Sequence, residues 1–225
     1  MGVTHKFSLN QLQSKLGPYW VLLTFFSLSL AMLTLARFGL SVWQGERVFS
    51  SHAWLNIFVG GLRVDIATLS YILMPALLIL VGASLFGKQH LTRSVIKYYL
   101  LVMTALLIFF EVITPTFINE YDLRPNRLFI DYLIYPKEVS KMIFSGYKTE
   151  IICTVLLLVV GIKAAAMTFA YQWQSRPQLS TLKHTLLIVS LLCLTALGAR
   201  NSFGHRPLNP AMVAFSTDHL LNNLS

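Results

Sequence analysis

Five long, largely apolar stretches occupy about half of this chain, and at 1.5 Å per helical residue they approach or match the thickness of a hydrocarbon core about 30 Å deep. The segments between them are too short to form a separate soluble domain. Composition agrees with that reading. Of 225 residues, 55% are hydrophobic and 12% charged, with a mean hydropathy of +0.63. Soluble domains carry about twice that charged fraction, so composition argues against an ordinary globular enzyme. The sequence describes an all-α polytopic membrane protein of about five transmembrane helices, with short amphipathic interfacial helices in the outer loops.

The first apolar run extends from Tyr19 to about Ala36 and stops at Arg37. It is too long for a signal-peptide core and no Ala-x-Ala site follows, so it reads as an uncleaved anchor. The second runs from Ile66 to Leu85, with Pro75 as a kink, and the third from about Val95 to Pro115, with one acid, Glu111. Ahead of the second, Ala53 to Val64 is apolar, contains Gly60-Gly61, and reads as a surface-lying or half-inserted helix. The fourth runs from Ile151 to Ala170 around Lys163, and the fifth, the shortest, from His184 to Leu197 or Gly198. Tyr19-Trp20, Trp43, Trp54, Tyr98-Tyr99, Tyr171 and Trp173 fall at the span borders, where amphipathic rings prefer the headgroup layer.

The net charge of +9 comes from basic residues scattered at span ends. That distribution suits anionic headgroups and topology setting, not a nucleic-acid face. Lys6 and Lys15, then Lys88, Arg93 and Lys97, then Arg176 and Lys183 mark one side of the membrane without acids among them. The positive-inside rule places that side, and the N-terminus, in the cytoplasm, and the C-terminus outside. The two cysteines, Cys153 and Cys193, lie within spans and read as small packing residues. No nucleotide-binding, zinc-protease or nucleophile-elbow motif occurs. The six histidines fall on both sides of the membrane and define no metal site, and Asp218-His219 reads as a solvated turn.

The residues that bear on chemistry lie on the outer side. The loop from Asn119 to Lys148 is too charged to span and too apolar to float free. Leu128, Phe129, Tyr132 and Leu133, and after Pro136 Val139, Met142 and Ile143, repeat at helical spacing, which describes two short helices lying on the membrane surface. Arg124, Asn126, Arg127 and Lys137 on this loop, with Arg63 and Asp65 at the mouth of the second span, form a candidate lipid-headgroup face, since guanidinium forks and ammonium groups both suit phosphate. Ordinary snorkelling beside the membrane explains the loop bases equally well. Arg63 and Asp65, two residues apart, point in different directions on a helix and need partners elsewhere. Glu111 is a candidate partner for Arg63, and Lys163 has a stem long enough to reach the cytoplasmic border.

Arg63-x-Asp65 ahead of a span with Tyr71 and Pro75, the run FIDYLIYPKEV from Phe129 to Val139, and the tail GHRPLNPAMVAFSTDHLLNNLS from Gly204 to Ser225 together resemble the N-terminal membrane part of lipoteichoic acid synthase-like proteins, a sulfatase-fold group of bacterial membrane phosphoglycerol transferases. The resemblance covers essentially the whole chain and rests mainly on the tail. It implies five transmembrane helices in a bacterial cytoplasmic (inner) membrane, with residues 1–199 as the helical domain and 200–225 as an extracytoplasmic linker. That linker would lead to a catalytic domain, absent here, with a threonine nucleophile and manganese or another divalent metal. No catalytic or metal-binding residue carries over. The implied partners are membrane phospholipids and the chain's own downstream catalytic domain, and no nucleic acid. A self-contained small transporter or lipid flippase using Arg63, Glu111 and Lys163 is the alternative. The lack of repeated halves with paired broken helices counts against it.

The tail itself cannot continue the fifth helix through Pro207 and Pro210. Its apolar residues, Met212, Val213, Phe215, Leu220, Leu221 and Leu224, are expected to pack on the outer ends of the bundle or on the bilayer surface, leaving the segment partly mobile.

Overall fold

A computed structural model of the protein describes residues 9–86, 89–126, 144–172, 180–202 and 204–224, together with Phe129, Asp131, Ile134, Lys137 and Lys141. Among them every regular element is helical: α1 (Leu9–Leu16), α2 (Tyr19–Trp43), α3 (Gly45–Ser50), α4 (Trp54–Phe86), α5 (Gln89–Tyr121), α6 (Lys148–Gln172), α7 (Thr181–Arg200) and α8 (His219–Leu224), with one 3-10 turn at Pro210–Met212. Five of these helices, α2, α4, α5, α6 and α7, are long and apolar enough to cross a membrane. The chain is therefore all-α and polytopic.

Three helix boundaries differ from the sequence expectation. Arg37 does not stop the first span: α2 continues through it to Trp43, because Phe38, Leu40, Val42 and Trp43 resume the apolar run. The stretch from Ala53 to Val64 is not a separate surface helix, since α4 is one continuous helix of 33 residues. Its Gly60-Gly61 pair falls on a buried face against neighbouring helices and not at a break. The third span likewise runs past Pro115 to Tyr121. Proline lacks the N–H that would bond the carbonyl four residues back, which here belongs to Glu111.

The centre of the bundle is built from α2, α4 and α5, which all touch one another. Outside them, α6 packs on α5 and α7 on α4. Tyr19, Phe25, Leu69, Leu77, Ile96 and Leu100 fill the interior of the triangle. Lipid is as apolar as these side chains, so association depends on close fit rather than on water exclusion. At the α4–α7 crossing a Cβ on Gly198 would collide with Ser70 Oγ, which shows how closely the two backbones approach. At the opposite end Tyr19 Oη and His184 Nε2 share a hydrogen bond of 3.2 Å that joins the start of α2 to α7. Tyr99 Oη donates to the Ile72 carbonyl at 2.7 Å, so this border tyrosine joins α5 to α4. Cys153 and Cys193 are exposed on the bundle's outer surface, which corrects the expectation that they are packing residues.

The second core cluster lies at the end of the bundle that carries α3 and the tail. Leu220, Leu221 and Leu224 of α8 are buried against Leu40, Val48, Ala53, Ile57 and Ile118. The tail thus docks on the bundle, as its apolar residues require. Its turn is held by its own polar groups: Asn222 Oδ1 accepts from the Phe215 and Ser216 amides, and Asn222 Nδ2 donates to the Ser216 carbonyl. Asp218 is a helix cap and not a solvated turn, because its Oδ1 accepts from the Leu220 amide at 2.9 Å.

Candidate functional site

Four charged side chains gather inside the tail-bearing half of the bundle: Arg37 of α2, Asp65 of α4, Glu111 of α5, and Arg124 just beyond α5. Two positive and two negative groups leave the set formally neutral. Arg37, 1% exposed, is the largest fully buried side chain described. Its Nη2 donates to Asp65 Oδ1 at 2.9 Å, and its Nη1 lies 2.8 Å from Asp65 Oδ2 in an ionic contact that lacks hydrogen-bond alignment. Nε donates to the carbonyl of Leu224 at 3.1 Å. One guanidinium therefore ties together α2, α4 and the docked tail.

The guanidinium can lie there only because residue 61 is glycine. A Cβ at that position would sit on Arg37 Nε and Cζ. Asp65, one helical turn further along α4, fixes the side chain that crosses Gly61, so sequence spacing within α4 creates both the gap and the anchor.

Arg124 Nη2 donates to Glu111 Oε2 at 3.3 Å, forming the second pair. Burial pulls the Arg124 guanidinium down from its ordinary pKa, and Glu111 opposes that shift. The charges of Arg37 and Asp65 also act on Arg124, which makes the two pairs one electrostatic cluster. Arg124 Nε is buried without a hydrogen-bond partner among the described residues. Desolvated charges are costly unless paired, and this arrangement pairs each base with an acid.

Five of the six residues singled out from sequence divide among three places. Asp65 and Arg124 enter the buried cluster. Arg63 turns the other way on α4, toward α7, as the two-residue spacing requires. Its Nη2 donates to the Asn201 carbonyl at 3.2 Å, while Asn201 Nδ2 donates to the Arg63 carbonyl at 2.6 Å. Asn201 caps α7 in the left-handed conformation, φ 38°, a backbone that asparagine tolerates better than most residues. Asn126 and Lys137 are exposed, and Arg127 lies outside the described residues, as does most of the 128–143 stretch expected to form two surface helices. Glu111 pairs with Arg124, not with Arg63. Lys163 is exposed on the outer surface of α6 and does not line the bundle interior.

Two further polar links tie the same end together. Arg47 Nη1 donates to Asp122 Oδ1 at 2.6 Å, and Tyr147 Oη donates to Glu120 Oε1 at 2.6 Å. The hydrogen bond to Glu120 raises the pKa of the Tyr147 phenol.

Arg37 is the functional candidate that sequence reasoning missed. A signal was present: the apolar run resumes immediately after it, which marks an arginine inside a span and not at its border. No group of three or more His, Cys, Asp or Glu side chains converges among the described residues. No family model matches the chain, and no solved structure matches it.

Proposed function

We propose that this chain is the membrane module of a lipid-headgroup transferase of the phosphoglycerol or phosphoethanolamine type, acting at the outer face of a bacterial cytoplasmic membrane. The observation that carries this reading is the docked tail. Leu220, Leu221 and Leu224 are buried in the bundle, and the Leu224 carbonyl is bonded to Arg37. An exit segment fastened this way fixes whatever follows it relative to the bilayer, which a catalyst working on lipid headgroups needs. The clusters of Lys and Arg described above support an inside N-terminus and an outside tail. In this reading the buried cluster is a positioning device and the chain holds no reacting group of its own.

Membranes from cells carrying the intact gene are expected to convert isotopically labelled phosphatidylglycerol or phosphatidylethanolamine to diacylglycerol, and membranes from a deletion strain are not. The 225-residue chain alone is expected to turn over neither. Solute or lipid flux across proteoliposomes containing this chain alone would instead favour the self-contained transporter. Cysteine labelling from outside is expected at Ser202 and not at Gln89, in a background lacking Cys153 and Cys193.

A further inference from the structure

A cleft of about 270 Å³ runs between α2, α4 and α7. Leu22 and Phe26 of α2, Ile66, Leu73 and Leu77 of α4, and Leu194 of α7 are among the apolar side chains lining it. Ser70 and Thr195 add hydroxyls, and the Thr195 hydroxyl is already donated to the Leu191 carbonyl. From Ile66 to Leu77 the lining extends about 16 Å along α4, roughly half the hydrocarbon thickness of a bilayer. On α2 the lining begins at Tyr19, at the opposite end of the bundle, so the cleft runs along the apolar depth as an acyl chain does.

The charge at the end of this cleft identifies its occupant. Arg63 and Asn201 lie one helical turn beyond Ile66 and Gly198, the lining residues nearest the tail-bearing end. Arg63 is half-buried, and among the described residues no carboxylate pairs with it. The carbonyl of Asn201 accepts one hydrogen bond from Nη2, which leaves the cationic fork without an anion. Three other arginines at this end have an acid, Arg37 with Asp65, Arg124 with Glu111 and Arg47 with Asp122, while exposed Arg200 donates to the Ser202 and Gly204 carbonyls. A guanidinium without an anion at the tail-bearing end of an apolar, chain-length cleft is complementary to a phosphate that carries an acyl tail.

We propose that the cleft between α2, α4 and α7 seats one acyl chain of an anionic phospholipid whose phosphate lies on Arg63. This deepens the lipid-headgroup reading above, on which it rests, by giving the lipid a seat away from the Arg37–Asp65 cluster. The neutral cluster offers no excess charge to an anion, whereas Arg63 does.

The test is photo-crosslinking in nanodiscs of phosphatidylglycerol and phosphatidylcholine with identical chains. Benzoylphenylalanine replaces either Leu194, exposed beside the cleft, or Val160, equally exposed on α6. Both lipids carry the phosphate, and only in phosphatidylcholine does a choline neutralise it. Labelling at Leu194 is therefore expected to favour phosphatidylglycerol by about fivefold over the bilayer ratio, the order of one basic residue's attraction to an anionic lipid. At Val160 it should follow the bilayer ratio, and Arg63→Gln should abolish the preference at Leu194. Labelling at Leu194 that follows the bilayer ratio, or a preference that survives Arg63→Gln, overturns the proposal. The ratio at Leu194 with Arg63 intact decides even where Arg63→Gln fails to fold. Preferential labelling without headgroup turnover in the intact gene product would leave this seat standing and sink the transferase reading. Turnover without preferential labelling would do the reverse.

Discussion

Arg37 and Asp65, 28 positions apart in sequence, meet in a buried two-point ionic contact that joins the second and fourth helices within the tail-bearing half of the bundle. The contact depends on what each residue lacks elsewhere: Asp65 is 5% exposed and has no water to turn to, and Arg37 is more deeply buried still. Removing one member leaves the other charged and unpaired. In soluble proteins that costs about 3–5 kcal/mol, while replacing both by apolar groups is far milder. Asp65→Asn and Arg37→Leu are each expected to lower the thermal midpoint of the detergent-solubilised protein sharply. The double change Arg37→Leu/Asp65→Leu is expected to recover part of the loss, even though the Leu224 carbonyl then lacks its donor. A double variant less stable than either single one would contradict the pairing.

Gly61 is expected to be coupled to Arg37 and to little else. In the native background Gly61→Ala forces the guanidinium off its seat and should destabilise the protein by about as much as losing the pair, on the order of 3 kcal/mol. In an Arg37→Ala background the three atoms nearest the added methyl are gone, and its cost should fall below about 1 kcal/mol. A double-mutant cycle on unfolding measures the difference. Additive effects at the two sites would mean that Gly61 serves some other contact.

Much of this fold is written in the sequence as hydropathy, and its fine structure is not. The five apolar runs mark the five long helices, since a run of that length has few other ways to satisfy its backbone. Boundaries differ from the hydropathy pattern wherever a single residue looks like punctuation. Arg37 looks like a span end and Gly60-Gly61 like part of a separate surface helix, yet Arg37 and Gly61 answer each other across two helices. No local pattern reveals such a pairing, because it depends on the rotation and depth at which α2 crosses α4. The spacing of Arg63 and Asp65 correctly implied separate partners on other helices, but not which ones. The partner of Arg63 is a backbone carbonyl and an asparagine side chain at the end of α7, and neither carries a charge signal. The tail was legible for a simpler reason: three leucines at helical spacing in a segment too short to span must pack somewhere.

The hydrogen bond from Tyr147 to Glu120 should be visible as a pH effect outside the spans. The bond raises the phenol's pKa, so the protonated form is the one favoured in the folded protein. Its contribution is fully present below the unfolded phenol value of about 10 and is lost as pH rises through the higher folded value. An ultraviolet difference titration against Tyr147→Phe should show this tyrosine ionising above pH of about 10. Glu120→Gln, which removes the charged acceptor, should move it back down. An unchanged titration in Glu120→Gln would remove the assigned cause.

The proposed role depends on the docking of the tail. Leu220 and Leu224 are fully buried, and Leu221 is 2% exposed. Truncating such a residue to alanine costs about 2–5 kcal/mol where the site cannot collapse. A single hydrogen bond from Arg37 and a six-residue helix cannot absorb the loss of several such contacts. Leu221→Asp should therefore release the segment from the bundle while leaving α2, α4 and α5 assembled, since their own core lies apart from this cluster. Limited proteolysis is the direct measurement. In the native protein the exposed stretch around Gly204–Arg206 should be cut first and the stretch from Leu220 to Leu224 should resist; in Leu221→Asp both should be cut at similar rates. Arg37→Leu should give an intermediate pattern, because it removes the donor to Leu224 but leaves the leucine contacts in place. Equal resistance in native and Leu221→Asp proteins would show that burial of these leucines does not hold the tail, and the anchoring role proposed for it would fall with that result.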